Sequence, residues 1–469
     1  MRSAESIRFG TDGWRAVIAR EFTVENVARL TFGLAAWIKT QPTPHRAVVG
    51  FDCRFGGELF SRTVVEVLQS EGIEVMLSDR IVSTPMVSMA TRDLNCTVGV
   101  MITASHNPPE YNGYKLKSHH GGPMGGQALR EIESLIPDEI STHWASSGPM
   151  SKDDRSLVDL ESPYVHAIEQ AFDLEAIRKT SPTLAYDAMY GSGQFVMRRL
   201  FPSMAHFRSE NNPSFHGISP EPIARNLAPF ASFLTADPGL ELGLVTDGDA
   251  DRIGLMDGQG EFIDSHHIIL LLIHYLVKYK GLEGKVVTAF STVSKVTKLC
   301  QLYGLPLEIV KIGFKYASEI MVKEPVMLAG EESGGIAVET HIPERDGIWM
   351  GLLLVEFMAE TGKSIKELIQ EVYDQVGAFA FVRDDLRLTD EQKYEAVQRC
   401  ALSTITSIGS NKVQRVEDMD GWKFILDEDT WVMIRPSGTE PVLRLYAEAP
   451  DRERALEIIA ATKSEIGVA

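Results

Sequence analysis

Two rhythms alternate along the chain. Val27, Leu30, Leu34 and Trp37 recur three and four residues apart after Thr23, which predicts a helix with Thr23 as its N-cap. Ala47 to Phe51 is a short apolar run, closed by Asp52 and a turn containing Gly56 and Gly57, and it predicts a strand. A helical pattern then runs through Leu68 and stops near Gly72, and another apolar run ends at Ile102. Strand, helix, strand in this order predicts α/β layers. Residues 138–162 are rich in Ser, Asp and Pro and lose all periodicity, which marks a first boundary. Leu184 to Tyr186 opens a second block, which ends in the hairpin-like Met256–Gly260. Ser265 to Tyr279 predicts a helix apolar on most sides, so buried between neighbours, and starts a third block reaching about Gly377. The last block has strand-like runs at Phe379–Val382, Trp422–Leu426, Trp431–Ile434 and Val442–Ala447. A closing helix there places Ala455, Ile459, Thr462 and Ile466 on one face. The expected division is 1–150, 151–260 and 261–377, all α/β, then 378–469, a smaller α+β domain.

Four apolar runs each end in an unusual polar loop. Val98–Ile102 leads into residues 103–115, Leu242–Val245 into 246–252, Val326–Ala329 into 330–335, and Trp431–Ile434 into 435–441. Ligands of open α/β sheets bind at the carboxyl ends of strands. Four such loops, one per block, are expected to close around one central cleft.

Asp247, Asp249 and Asp251 alternate with small residues, and alternation at period two would point the three carboxylates the same way. Such a trio repels itself unless a hard cation, Mg²⁺ or Ca²⁺, sits between them. An EF-hand is excluded, because its sixth and twelfth positions hold Arg252 and Gly258. Arg252 beside the cation suits a phosphate that bridges to the metal. In the first loop Ser105 stands where a strand stops, with His106, Asn107 and two prolines fixing the turn. No nucleophile-elbow pattern surrounds it. As a phosphoserine it would carry about −1.5 to −2 charges, which the cation and Lys115 would neutralise. In the last loop Arg435 offers a planar fork, Ser437 and Thr439 offer hydroxyls, and Gly438 admits an anion close to the backbone. Glu331 and Ser333 suit the vicinal hydroxyls of a sugar.

The chain has 469 residues with 46 Lys plus Arg against 65 Asp plus Glu, a net charge of −19. That disfavours a general nucleic-acid binder and leaves anion binding to local clusters. No uncharged apolar run reaches the roughly 18–20 residues of a membrane span. Cys53, Cys96, Cys300 and Cys400 match no metal spacing and read as reduced thiols, and residues 1–10 show no apolar leader, so a cytoplasmic enzyme is expected. Gly191-Ser192-Gly193 lacks the third glycine of a dinucleotide site, and His266 and His267 read as structural.

These loops, with Phe9 to Arg15, resemble those of the α-D-phosphohexomutases over nearly the whole chain. The resemblance implies four domains, the last like the TATA-binding protein. It implies that Ser105 is the phosphoserine and that Ser105, Asp247, Asp249 and Asp251 hold Mg²⁺. Arg15, His106, Lys115 and Arg345 would then lie at the reacting phosphoryl group. Arg252, Gly313, Glu331 and Ser333 would meet the sugar phosphate, and Arg435, Ser437, Gly438 and Thr439 the phosphate that does not react. Members acting on mannose or glucosamine often carry a histidine where this chain has Gly335, and Glu332 stands at a variable position. With Gly313 to Lys315, that looks more like the glucose type. The expected reaction interconverts glucose 1-phosphate and glucose 6-phosphate through glucose 1,6-bisphosphate, in a monomer or dimer. Another hexose, a sugar-bisphosphate synthase and a non-catalytic sensor are the competing readings.

Overall fold

The computed structural model describes residues 7–140, 156–180, 183–402, 405–436 and 442–468. They pack as two compact units, Met1–Ile268 with Gly313–Lys366, and Ile269–Ile312 with Glu367–Ala469. All four apolar runs that precede the polar loops are strands.

The first unit contains two mixed sheets. Strands β1 (Trp14–Val17), β2 (Arg46–Phe51), β3 (Glu74–Ser78), β4 (Val98–Ile102), β5 (Tyr111–Ser118) and β6 (Leu157–Val158) form one six-stranded sheet in the order β1-β5-β4-β2-β3-β6. Its centre is parallel, and β5 returns antiparallel to β4, so residues 103–110 are forced into a reversal at the sheet's end. The Val24–Ile38 helix covers this sheet. Thr23 accepts from the Asn26 N–H at 3.2 Å to cap it, and Val27, Leu30, Leu34 and Trp37 are buried as their spacing predicts. Trp14 stacks on Phe22 with ring centroids 4.9 Å apart, and Phe22 meets Phe60 edge-on at 4.7 Å. Each such pair contributes about 0.5–1.5 kcal/mol beyond its buried area. β6 lies in the aperiodic stretch, so the first sheet takes a strand from beyond residue 150.

The second sheet joins β7 (Leu184–Asp187), β8 (Ala205–Phe207), β9 (Leu242–Thr246), β10 (Ile253–Asp257) and β11 (Phe262–Ile263) in the order β11-β10-β9-β7-β8. Its β9–β10 reversal is the acidic loop. The first unit also holds the antiparallel pair formed by residues 326–330 and 336–338, whose turn is the Glu331 loop.

In the second unit the C-terminal block is a five-stranded antiparallel sheet with the Arg452–Ile466 helix against it, the α+β arrangement expected. That helix buries Ala455, Ile459, Thr462 and Ile466, together with Ile458. Its first strand runs Ala380–Arg387, well past Val382. Arg383, Asp384 and Asp385 hid the continuation, because an edge strand tolerates charge that a central strand would not. The helix expected over 265–279 is α-helical only over Ser265–His274, and Tyr275–Tyr279 widens into a π turn in which Lys280 N–H reaches the Tyr275 carbonyl at 3.1 Å. All four cysteines are buried and free. Among the described residues no helix is long and apolar enough to cross a membrane.

One buried ion pair ties β5 to the segment before the Gly347–Thr361 helix. Lys117 Nζ donates to Glu344 Oε2 at 2.6 Å, with both side chains fully buried. Removing one partner leaves an uncompensated buried charge, which costs about 3–5 kcal/mol. Lys117→Met should therefore lower the thermal transition markedly. Lys117→Met combined with Glu344→Gln should recover part of the loss in the same melt, and equal melting of wild type and the single variant would contradict the pairing.

Candidate active site

Ser105 lies just beyond the β4 end, in left-handed backbone at φ 51°. Its Oγ donates to Asp247 Oδ2 at 2.6 Å and stands 3.3 Å from His106 Nδ1. The two loops approach at Gly248, where a Cβ would sit 2.5 Å from the Ser105 carbonyl oxygen, so only glycine admits this contact.

Asp247, Asp249 and Asp251 are buried, and one oxygen from each lies within 4.8 Å of the others. They converge, but not by strand alternation. β9 ends at Thr246, and the trio sits in a turn with Ala250 at φ 58°. Asp247 Oδ1 accepts from the Asp251 and Arg252 N–H groups at 3.0 and 3.1 Å, folding the loop back on itself. The period-two expectation thus fails because a carboxylate competes successfully for the loop's backbone donors.

Cations line one side. Lys115, fully buried on β5, reaches Asp249 Oδ2 at 2.7 Å, Asp251 Oδ2 at 2.9 Å and Asp12 Oδ2 at 2.9 Å. Arg345 reaches Asp251 Oδ2 at 2.7 Å and Asp12 Oδ2 at 2.6 Å. Arg252 Nε is 4.0 Å from both Asp247 and Asp251, and Arg15 donates to Asn107 Oδ1 at 2.8 Å. Thr84 Oγ1 donates to Asp249 Oδ2 at 2.5 Å.

The three carboxyls are not alike. Burial, then the nearby charges of Asp249 and Asp251, push the Asp247 carboxyl well above the ordinary carboxylate range. Burial would also raise Asp249, but the charge and hydrogen bond of Lys115, with the hydrogen bond from Thr84, together hold that group low. Asp249 Oδ1 and Asp251 Oδ1 are buried with no hydrogen-bond partner among the described residues. Orphaned acceptors in a repelling, all-oxygen trio fit a hard divalent cation.

Glu331 follows its strand directly. It accepts from the Gly313 N–H at 2.8 Å and lies 3.8 Å from Arg345. Burial raises its carboxyl to about 7 against the opposing pull of Arg345. Ser333 is half-buried in the same turn. Arg435 is the penultimate residue of the Trp431–Pro436 strand of the second unit, its Nε 3.2 Å from Asp420 Oδ1. Ser437, Gly438 and Thr439 lie outside the described residues.

Three of the four loops, with Lys115, Arg15, Arg252 and Arg345, thus meet in one unit. Sequence reasoning missed Asp12, Thr84, Asp52 and Arg54. Asp12 lies inside the Phe9–Arg15 run, three residues before Arg15, and its carboxylate is the signal the sequence offers. Thr84 offers no signal before folding.

Four family models match in chain order: phosphoglucomutase/phosphomannomutase α/β/α domains I (residues 6–143), II (162–260) and III (264–376), and the C-terminal domain (386–464). The chain is 30% identical over 462 residues to a phosphoglucomutase/phosphomannomutase of Thermococcus kodakarensis, covering 96% of each chain. It is 28% identical to a probable phosphoglucosamine mutase of Pyrococcus furiosus, covering 96% of this chain and 95% of that one. The crystal structure of a putative phosphomannomutase from Thermus thermophilus superposes with a TM-score of 0.87 at 32% identity, covering 98% of this chain and 99% of that one.

Two outcomes are expected. Asp249→Asn should weaken Mg²⁺ binding by roughly tenfold or more in calorimetry, and unchanged affinity would remove the trio as the cation site. A carboxylate accepts hydroxyls better than its neutral acid, so with Glu331 as the hydroxyl reader the sequence suggests, wild-type kcat/KM should climb as pH rises through about 7. Glu331→Gln lacks that group, so the ratio of variant to wild-type kcat/KM should fall across the same window; a flat ratio counts against Glu331 as the hydroxyl reader.

Proposed function

Because the chain belongs to the α-D-phosphohexomutase family, whose members are isomerases that move a phosphoryl group, we propose that it interconverts the 1- and 6-phosphates of a hexose through a phosphoserine at Ser105. The observation that carries this reading is the Ser105 Oγ bonded at 2.6 Å to one member of a buried carboxylate trio, with Lys115 and Arg345 on the trio's other side.

Phosphoryl transfer is chiefly positioning and charge neutralisation. The free hydroxyl of the sugar phosphate attacks phosphorus, the bond from phosphorus to Ser105 Oγ breaks, and a bisphosphate forms. The attacking hydroxyl's proton passes to an oxygen of the transferring phosphoryl group, protonated His106 gives its Nδ1 proton to Ser105 Oγ 3.3 Å away, and the phosphoryl oxygen's proton then restores the imidazolium. The bisphosphate then turns over and its other phosphate returns to Ser105. Lys115, Arg345 and Arg252 offset the charge on the transferring oxygens, and Arg15 holds Asn107 of the serine loop. Mg²⁺ held by Asp247, Asp249 and Asp251 would act as a Lewis acid on those oxygens. Glu331 and Ser333 take hydroxyls that nearly exchange places between the two orientations. The phosphate that does not react falls to Arg435, on its chemistry and motif.

For the sugar, one relative's name covers glucose and mannose alike, while the phosphoglucosamine mutase and phosphomannomutase names favour glucosamine or mannose phosphate over the glucose phosphate expected from the sequence. Gly335 supports glucose as a second reading. A Cβ there would sit 2.2 Å from Arg345 Cδ, so a histidine would displace the arginine that holds Asp12 and Asp251.

A panel of glucose, mannose and glucosamine 1-phosphates tests this. Mannose or glucosamine 1-phosphate should give the highest kcat/KM, and a tenfold preference for glucose 1-phosphate would install the second reading. Ser105→Ala should lose roughly three orders of magnitude or more in kcat, and full activity in that variant would refute the phosphoserine.

A further inference from the structure

Arg54 is assigned no contact with substrate or metal, and its terminal nitrogens are spent on backbone carbonyls of the serine loop. Its side chain is fully buried. Nη1 donates to the carbonyls of Pro108 at 2.8 Å and Tyr111 at 3.0 Å, and Nη2 to those of Ser105 and Asn107, both at 2.6 Å. The two terminal nitrogens carry four N–H groups, and these four carbonyls use all of them. The face of Phe215 lies 5.0 Å from the guanidinium carbon, closing it from water.

Asp52 completes the device. Its Oδ1 accepts from the Arg54 N–H at 2.9 Å, and its Oδ2 accepts from Thr103 Oγ1 at 2.5 Å and lies 3.5 Å from Arg54 Nε. Thr103 Oγ1 in turn accepts from the Ser105 N–H at 2.9 Å. Both peptide groups that flank Ser105 are therefore held by side chains, Thr103 on the amino side and Arg54 on the carboxyl side. A non-glycine residue at φ 51° costs free energy and persists only where its surroundings over-determine it.

We propose that Arg54, braced by Asp52 and coupled through Thr103, is a positioning residue for phosphoryl transfer: it holds Ser105 in left-handed backbone so that Oγ faces the carboxylate trio. Lysine cannot replace it, since one ammonium has three donors radiating from a point and cannot span four carbonyls. The inference rests on the phosphoserine reading. Misplacing a reacting group by about 1 Å costs on the order of a hundredfold in rate, and substrate binding should be spared because Arg54 meets no substrate.

The test measures phosphate gain at Ser105 by intact mass and peptide mapping, with glucose 1,6-bisphosphate as the donor, alongside steady-state kinetics. Folded Arg54→Lys should be phosphorylated about 10–100-fold more slowly, with kcat falling in parallel and KM within threefold of wild type. Thr103→Val should slow phosphorylation in the same sense, and Thr103→Ser, which keeps the hydroxyl, should restore it. A wild-type chain that takes no phosphate sinks the functional reading and this inference with it. A phosphorylated wild type beside a folded Arg54→Lys of equal rate sinks the inference alone. Should Arg54→Lys fail to fold, the two Thr103 variants decide, and equal rates in valine and serine forms overturn the proposal.

Discussion

Three carboxylates confined to one buried turn are the constraint on which this site depends. At separations up to 4.8 Å, each ionised pair repels by roughly 3–4 kcal/mol even at an effective dielectric of 20. The fold does not remove that repulsion. It places Lys115 and Arg345 on one side, adds Asp12 as a fourth carboxylate bonded to both cations, and leaves two oxygens of the trio unbonded. With Arg15 3.4 Å from Asp12, four cations stand against four carboxylates, yet two oxygens of the trio keep no partner among the described residues. A divalent ion would answer those oxygens, and a doubly charged phosphate on Ser105 would offset the charge the ion adds.

Holding that arrangement requires backbone as much as side chains. The antiparallel return of β5 after β4 creates the serine loop, and the return of β10 after β9 creates the acidic loop. Gly248 lets the two approach. Arg345 is fixed from behind by Glu344, which accepts from the Arg345 N–H at 3.0 Å and is itself anchored on Lys117. The neighbouring Asp346 caps the Gly347–Thr361 helix, accepting from Trp349 N–H, Tyr164 Oη–H and His341 Nε2. A short polar run thus carries the arginine that pairs with Asp12 and Asp251, its buried brace and a helix cap in three consecutive residues.

Much of this was legible before folding. Apolar runs ending in polar loops located Ser105, the aspartate trio and Glu331, because a strand's periodicity survives in sequence and its end is where chemistry collects. The route by which the trio converges was misread, since alternation describes strands and these residues are in a turn closed by Asp247. The bracing residues were invisible for a different reason. Arg54 and Thr84 find their partners 51 and 165 positions away, at Ser105 and Asp249, and no local pattern encodes such a meeting. Charged edge strands such as Ala380–Arg387 were also cut short, because solvent on one side relaxes the apolar alternation.

Residue types and their spacing alone determined which side chains stand at the strand ends, a serine, three aspartates, a glutamate and several basic groups, and with them the chemistry proposed. Tertiary structure decided which of these groups share a pocket and which carboxylates carry excess charge. It also decided that Gly335 has no room for a side chain beside Arg345. The physical reason is range. Backbone periodicity and donor chemistry are properties of neighbouring residues, whereas burial, repulsion and steric exclusion exist only once distant segments occupy the same few ångströms.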